Sequence, residues 1–235
     1  MVRRQDAANL NEVMESLAPI SSLLNAEQIE ELKYNTTVRK YKKNEIMYTE
    51  GDVPKYFHCL ISGKVKVYKE GVGGRMQIMR IIKPVDYFGY RAFLANENYI
   101  TSAAAFEPTT LCLIPMRLVD KWIKNNQQLA YYFIKLFSVE LGRSYMRTVN
   151  LTQKHIRGRL SEALLFLKDT YGYEADYMTI AARLSREDLA NLSNMTTSNA
   201  IRTLSAFCSE QIIEADRRKI KILDEEQLKK ISRIG

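Results

Sequence analysis

Cysteine is scarce and scattered: Cys59, Cys112 and Cys208 are the three in 235 residues. They are too few and too far apart for a disulfide framework or a C-x2-C zinc site. Each sits among apolar sequence neighbours, so the expectation is three small buried hydrophobes. Histidine is scarcer still. With only His58 and His155, a multi-histidine metal centre has no ligand set, which excludes the metal catalysis that small barrels can host. No nucleophile–base pairing is evident either, so the chain is not read as an enzyme. Haem ligation through His58 or Cys59 would rest on single residues, and both are read as core. No cofactor is expected. Long hydrophobic runs are also missing, none approaching the ~18 residues that span a bilayer. The N-terminal MVRRQDAANLNEVMESL starts basic and turns polar and acidic, without the apolar centre of a secretory signal. The expected compartment is the cytoplasm.

Charge is present but does not point anywhere. Lys and Arg total 35 against 27 Asp and Glu, a net +8 that favours phosphate-bearing partners. Residues 1–152 hold 21 basic and 15 acidic side chains, residues 153–235 hold 14 and 12. Local clusters, not total charge, must locate a site.

Residues 10–35 place Leu10, Val13, Met14, Leu17, Ile20, Leu23, Leu24, Ile29 and Leu32 at helical spacings, with Ser21 and Asn25 as helix starts. From about 37 to 116 the pattern changes. The pieces IMY, YFHCLI, KVKVYKE, MQIMRII and TLCLI are separated by Gly51-Asp52, Ser62-Gly63, Gly71, Gly73-Gly74 and Lys83-Pro84. Val65 and Val67 alternate with Lys64, Lys66 and Lys69, the period of a strand wet on one face. Turns at this spacing predict a small antiparallel barrel or roll. A single long helix is predicted over about 117–151. Leu129, Tyr132, Leu136, Val139, Met146 and Val149 form one apolar stripe on it; Phe133, Phe137, Leu141 and Tyr145 form another. Two stripes mean burial on two sides: one against the roll, the other against a second copy or against the chain's own C-terminal domain. Domain limits are set at 1–116, 117–151 and 152–235. A helix from Ile156 to about Gly172, a hairpin over 212–223 and a closing helical turn complete the chain.

The decisive stretch is LSREDLANLSNMTTSNAIRTLSAFCSEQII, 184–213. Ser185 is an N-cap followed by acidic Glu187 and Asp188. Leu184, Leu189 and Leu192 give the first helix its core face, and Ala190 allows a close crossing. Asn194 suits a left-handed turn, and Met195 plugs the corner. Thr196 caps a second helix whose buried face is assigned to Ala200, Ile201, Leu204 and Phe207. That assignment leaves Thr197, Ser198, Asn199, Arg202 and Thr203 toward solvent, a set suited to base edges and phosphates in a major groove. Ser185 and Arg186, at the start of the first helix, and the capping Thr196 are assigned to the DNA-binding set with them. Arg217, Arg218 and Lys219, with Lys221, form a basic wing on the hairpin.

A roll with phased glycines, a long helix and then a winged helix-turn-helix resembles the CRP/FNR family of bacterial transcription regulators, over about residues 30–225. The resemblance implies an α+β fold: an antiparallel cyclic-nucleotide-binding-like β-roll, a long dimerisation helix and a C-terminal winged helix-turn-helix. It implies a homodimer bound to double-stranded DNA, with RNA polymerase as a partner. Thr197, Ser198 and Arg202 stand at the family's principal base-reading positions; several members carry Arg, Glu and Arg there. The family's nucleotide cassette matches FGYRAFLANENYITSAAA, 88–105. Gly89, Ser102 and Ala103 are kept, but Tyr90 replaces the ribose-binding Glu and Thr101 replaces the phosphate-pairing Arg. Losing that charge-assisted bond costs about 1.5–3 kcal/mol, so cyclic AMP is not the expected ligand. Arg91 is one position away, on a segment read as strand-like. The cysteines of the iron–sulfur branch are missing. An unidentified small-molecule effector and a purely structural roll both fit, as do activation and repression. The competing reading is a cyclic-nucleotide-type signalling module acting through protein contacts.

Overall fold

The computed structural model describes residues 13–235, so Leu10 lies outside the described residues. The chain divides into two compact units, Met1–Glu70 with Met79–Val139, and Gly71–Ile78 with Glu140–Gly235. Among the described residues no helix is long and apolar enough to cross a membrane.

The first unit opens with helices α1 (Ala18–Ser21) and α2 (Ala26–Asn35). Asn25 caps α2 in a reciprocal capping box with Gln28, satisfying two otherwise orphaned donors. Ser21, expected to begin a helix, instead ends α1. Eight strands follow: β1 (Thr37–Tyr41), β2 (Ile46–Tyr48), β3 (Tyr56–Ser62), β4 (Val65–Glu70), β5 (Met76–Ile82), β6 (Tyr87–Phe88), β7 (Ser102–Ala105) and β8 (Thr109–Pro115), with α3 (Tyr90–Leu94) between β6 and β7. They form two four-stranded sheets, ordered β1-β8-β3-β6 and β2-β7-β4-β5. Strands β3 and β8 are buried on both faces. Leu60, Leu111 and Leu113 point between the sheets, toward Val65, Val67 and Phe88. Phe57, Cys59, Cys112 and Ile114 point the other way, onto a helical layer with Leu32, Trp122 and Phe133. The two-residue period of a strand divides these side chains between two cores. Gly63 sits at φ +90, where a Cβ would come within 2.6 Å of Pro108 O. The turn between β3 and β4 therefore admits only glycine there.

The single long helix expected over 117–151 is two: α4 (Met116–Asn125) and α5 (Gln127–Gln153). Asn126 separates them. It adopts an extended conformation, its Oδ1 accepts from Leu129 N at 3.0 Å, and its Nδ2 donates to Leu23 O at 2.7 Å. A side chain that caps the next helix makes the break. On α4, Trp122 is buried and its Nε1 donates to Glu31 Oε2 at 2.7 Å.

The second unit contains the C-terminal part of α5, then α6 (Ile156–Tyr171), α7 (Arg186–Leu192), α8 (Thr197–Ser209), β9 (Ile213–Asp216), β10 (Lys219–Ile222) and α9 (Glu225–Ile234). Helix α6 ends at Gly172, φ +71. The closing segment is a ten-residue helix, α9, longer than the single turn expected.

Candidate DNA-binding interface and effector pocket

Helices α7 and α8 form the corner that the sequence forecast. Ser185 caps α7: its Oγ accepts from Asp188 N at 3.0 Å and donates to Asp188 Oδ2 at 2.7 Å. Leu184, Leu189, Ala190 and Leu192 are buried. Asn194 is left-handed at φ +50, and Met195 is buried behind it. Thr196 caps α8 by accepting from Asn199 N at 3.2 Å. Ser185 and Thr196 are thus occupied in starting helices. Arg186 is half-buried on the first turn of α7.

The phase of α8 differs from the expected one. Its buried face is Ala200, Thr203, Leu204 and Phe207. Thr203, expected toward solvent, is 5% exposed, while Ile201, expected in the core, is 47% exposed. The physical reason is periodicity: positions 200, 203, 204 and 207 make one unbroken i, i+3, i+4, i+7 stripe, and 201 lies about 100° away from 200. The outward face is therefore Thr197, Ser198, Ile201, Arg202 and Ser205. The side-chain hydroxyls of Thr197 and Ser198 have no hydrogen-bond partner among the described residues. Asn199 is half-buried and accepts from Arg202 Nη2 at 2.5 Å through Oδ1, holding the guanidinium along the helix.

Strands β9 and β10 pair with Asp216 opposite Lys219, leaving Arg217 and Arg218 as a two-residue turn. Arg217 is left-handed at φ +48, and Arg217, Arg218 and Lys219 are exposed. Lys219 lies 3.3 Å from Glu174, which also meets Arg183 at 3.4 Å. Lys221 is a loose 3.9 Å from Glu214. The hairpin thus offers its two turn arginines first.

The cassette in the roll is built differently. Gly89 is left-handed at φ +84, and a Cβ there would approach His58 Nδ1 to 2.5 Å. Packing against the His58 ring accounts for this glycine without a phosphate. The segment after it is helix α3 and not strand-like. Arg91 is exposed on that helix and pairs with Glu97 at 3.0 Å. Tyr90 is buried, with ring centroids 5.7 Å from Phe57, 5.8 Å from Phe133 and 5.4 Å from Phe137. Thr101 lies against the Tyr48 hydroxyl, whose pKa burial pushes up to about 12. Ser102 Oγ accepts from Glu50 N at 2.9 Å. His58 is enclosed and stacks on Phe88 at 4.8 Å; burial lowers its pKa to about 4, so it is neutral. Cys59 and Cys112 are buried, and burial raises both thiols, Cys112 to about 12. Cys208 is only half-buried.

Along α5 the expected stripes do not separate as drawn. Leu129 and Phe133 are buried in the first unit's own helical layer, with Tyr132, Leu136 and Phe137 packed on it. Leu129 is therefore no candidate for contact with another chain. Tyr131, Ile134, Val139, Leu141, Tyr145, Met146 and Val149 are exposed. Both stripes point inward early in the helix and outward later.

Comparison with known proteins matches residues 38–126 to the cyclic nucleotide-binding domain and residues 158–231 to the Crp-like helix-turn-helix domain. The transcriptional regulatory protein btr of Bordetella pertussis is 24% identical over 230 residues, covering 96% of this chain and 94% of that protein. The crystal structure of a putative crp/fnr-family regulator from Eubacterium rectale aligns with TM-score 0.77 at 20% identity, over 92% of this chain and 98% of that one. FixK2 from Bradyrhizobium japonicum aligns with TM-score 0.76 at 23% identity, over 83% and 96%. The chain belongs to the CRP/FNR family of transcription regulators, with a cyclic-nucleotide-binding-type domain followed by a Crp-like DNA-binding helix-turn-helix.

Proposed function

We propose that this protein is a cytoplasmic, homodimeric, sequence-specific regulator that reads a two-fold-symmetric DNA site through α8 and does not respond to cyclic AMP. The observation that carries the reading is the outward face of α8, where Thr197, Ser198 and Arg202 are exposed beside a basic wing. Short hydroxyl side chains near a helix N-terminus and an Arg one turn later suit the major groove, where Arg can bond guanine O6 and N7 together. Arg217, Arg218 and Lys219 supply phosphate contacts, which fix register without reading sequence.

Dimerisation is proposed through the outward face of α5. Tyr131, Ile134, Ser138, Leu141 and Tyr145 are exposed, and their spacings alternate three and four, the rhythm of a coiled-coil seam. Val139, Met146 and Val149 flank it. An apolar strip of this length is unusual on a surface that stays in water. A two-fold partner would set the two α8 helices about 34 Å apart, one turn of DNA.

The case against cyclic AMP rests on occupancy. Tyr90 stands where the family's ribose-binding Glu would be and is packed on three phenylalanines. Ser102 is committed to the Glu50 backbone, and Thr101 lies against Tyr48. A second small molecule, or the state of the dimer, would act by changing the packing of α5. The DNA-binding domains would then reorient about residues 151–158, where Lys154 and His155 separate α5 from α6. RNA polymerase is the proposed partner in activation; occlusion of a promoter would serve repression.

Selection of bound duplexes from random DNA tests the reading. A symmetric enriched motif, bound by two chains per duplex, is expected. Absence of enrichment would discard it and leave signalling through protein contacts. Titration calorimetry with cyclic AMP and cyclic GMP should give no saturable heat.

A further inference from the structure

The outward face of α8 is not uniformly polar, and its one apolar member lies among the proposed base-reading side chains. Ile201 is 47% exposed, one helical turn after Thr197 and immediately before Arg202. On an α-helix, residues four apart lie on one flank. Thr197 and Ile201 therefore form one edge of the face, Ser198 and Arg202 the other. One edge carries methyl groups. The other carries a hydroxyl and a guanidinium, the latter steadied by Asn199. Helix-core burial does not explain Ile201, because the core stripe is already complete with Ala200, Thr203, Leu204 and Phe207.

The major groove offers one apolar recognition element, the C5 methyl of thymine, and it distinguishes T from C at positions where hydrogen-bonding side chains are also at work. Consecutive helix residues such as Ile201 and Arg202 differ by ~1.5 Å of rise and ~100° of turn, against a rise of ~3.4 Å per base pair. A base touched by Ile201 would lie within about two base pairs of a guanine bonded by Arg202. We infer that Ile201 is a specificity-determining residue that packs on a thymine methyl, so that each half-site pairs a methyl-read thymine with an arginine-read guanine one or two steps away. The inference rests on α8 being the DNA-reading helix and adds the base class read by its apolar edge.

The test uses the full chain and a duplex carrying the motif enriched from random DNA. Each thymine of one half-site is replaced in turn by deoxyuridine, which removes the C5 methyl and keeps the O4 acceptor and the pairing. One replacement is expected to weaken wild-type binding about fourfold, the worth of one buried methyl, and the others to have no effect. Ile201→Ala should bind the thymine and deoxyuridine duplexes equally, at the affinity wild type shows for the deoxyuridine duplex. Ile201→Val should keep part of the methyl preference. Since Ile201 is outside the core, Ile201→Ala should melt like wild type and keep its low-salt affinity for unrelated DNA. An enriched motif with no methyl-sensitive position overturns the inference while leaving DNA reading by α8 intact. So does a methyl penalty that persists unchanged in Ile201→Ala, which would assign the contact to another side chain. Absence of any enriched motif overturns both.

Discussion

Two regions match the family's binding segments, and they use their polar side chains in opposite ways. In the roll, Tyr90 packs among Phe57, Phe133 and Phe137, Thr101 lies against Tyr48, Ser102 bonds Glu50 N, and Arg91 pairs with Glu97. Each of these four side chains is engaged inside the fold, while the buried Tyr99 hydroxyl of the same segment and His58 Nδ1 have no hydrogen-bond partner among the described residues. In the helix-turn-helix, Ser185 and Thr196 cap α7 and α8, Asn199 accepts from Arg202, and the Thr197 and Ser198 side chains project outward. A retained motif residue is thus evidence of a site only when its polar atoms are left over after the fold has been satisfied. Gly89 illustrates the point: its left-handed backbone and the His58 ring require glycine without any ligand.

Substitutions can break this contrast. The largest effect is expected at Phe207, fully buried under α8: Phe207→Ala should cost ~3–5 kcal/mol of folding stability, read by denaturant unfolding. A small effect would mean that α8 is not seated on the core as described. Arg202→Ala should leave stability within about 0.5 kcal/mol yet cost ~1–3 kcal/mol of specific binding and relax one base pair per half-site. A destabilised variant with unchanged preference would move Arg202 into the structural set. Ser185→Ala reverses that signature. It should lose ~1 kcal/mol of stability with its capping box and keep the selected motif. A changed motif would make the Ser185 hydroxyl a DNA contact.

The smallest effect is a pH dependence at the foot of α9. Lys229 and Lys168, each 2.9 Å from Glu225, together with the Tyr173 hydroxyl, hold the Glu225 pKa down at about 2 from its usual 4.5. A carboxylate so depressed stabilises the fold above the ordinary range, and that contribution fades as pH falls from about 4.5 toward 2. Glu225→Gln should therefore melt lower than wild type at neutral pH, with the gap closing in acid. A gap that stays constant from pH 7 to pH 3 would contradict the ion cluster.

Much of the fold was legible because hydrophobic period decided it: β3, β4, β5 and β8, helix α6, the two helices of the corner, and the hairpin. The misses have local causes. Strand β7, Ser102–Ala105, is mostly alanine and carries no strand propensity, yet its small side chains are what the inter-sheet core admits. Strand β1, Thr37–Tyr41, shows a mostly wet pattern. Asn126 is no obligate helix breaker, and its capping role depends on Leu23 O being near. On α8, polarity misleads: the Thr203 hydroxyl suggests solvent and the Ile201 side chain suggests core, whereas the stripe through Ala200, Leu204 and Phe207 places them the other way. The phase of that stripe alone places Ile201 outside the core. On α5, sequence spacing showed two apolar faces but not that Leu129 and Phe133 both belong to the chain's own core.

The account turns on the free face of α8 reading sequence. Wild type and a variant combining Thr197→Ala, Ser198→Ala and Arg202→Ala should be carried in parallel through selection from random DNA, with unfolding curves confirming that both are folded. The account predicts one symmetric motif for wild type and no common motif for the variant, which should retain only salt-sensitive, sequence-indifferent binding. Recovery of the same motif by both proteins would contradict it.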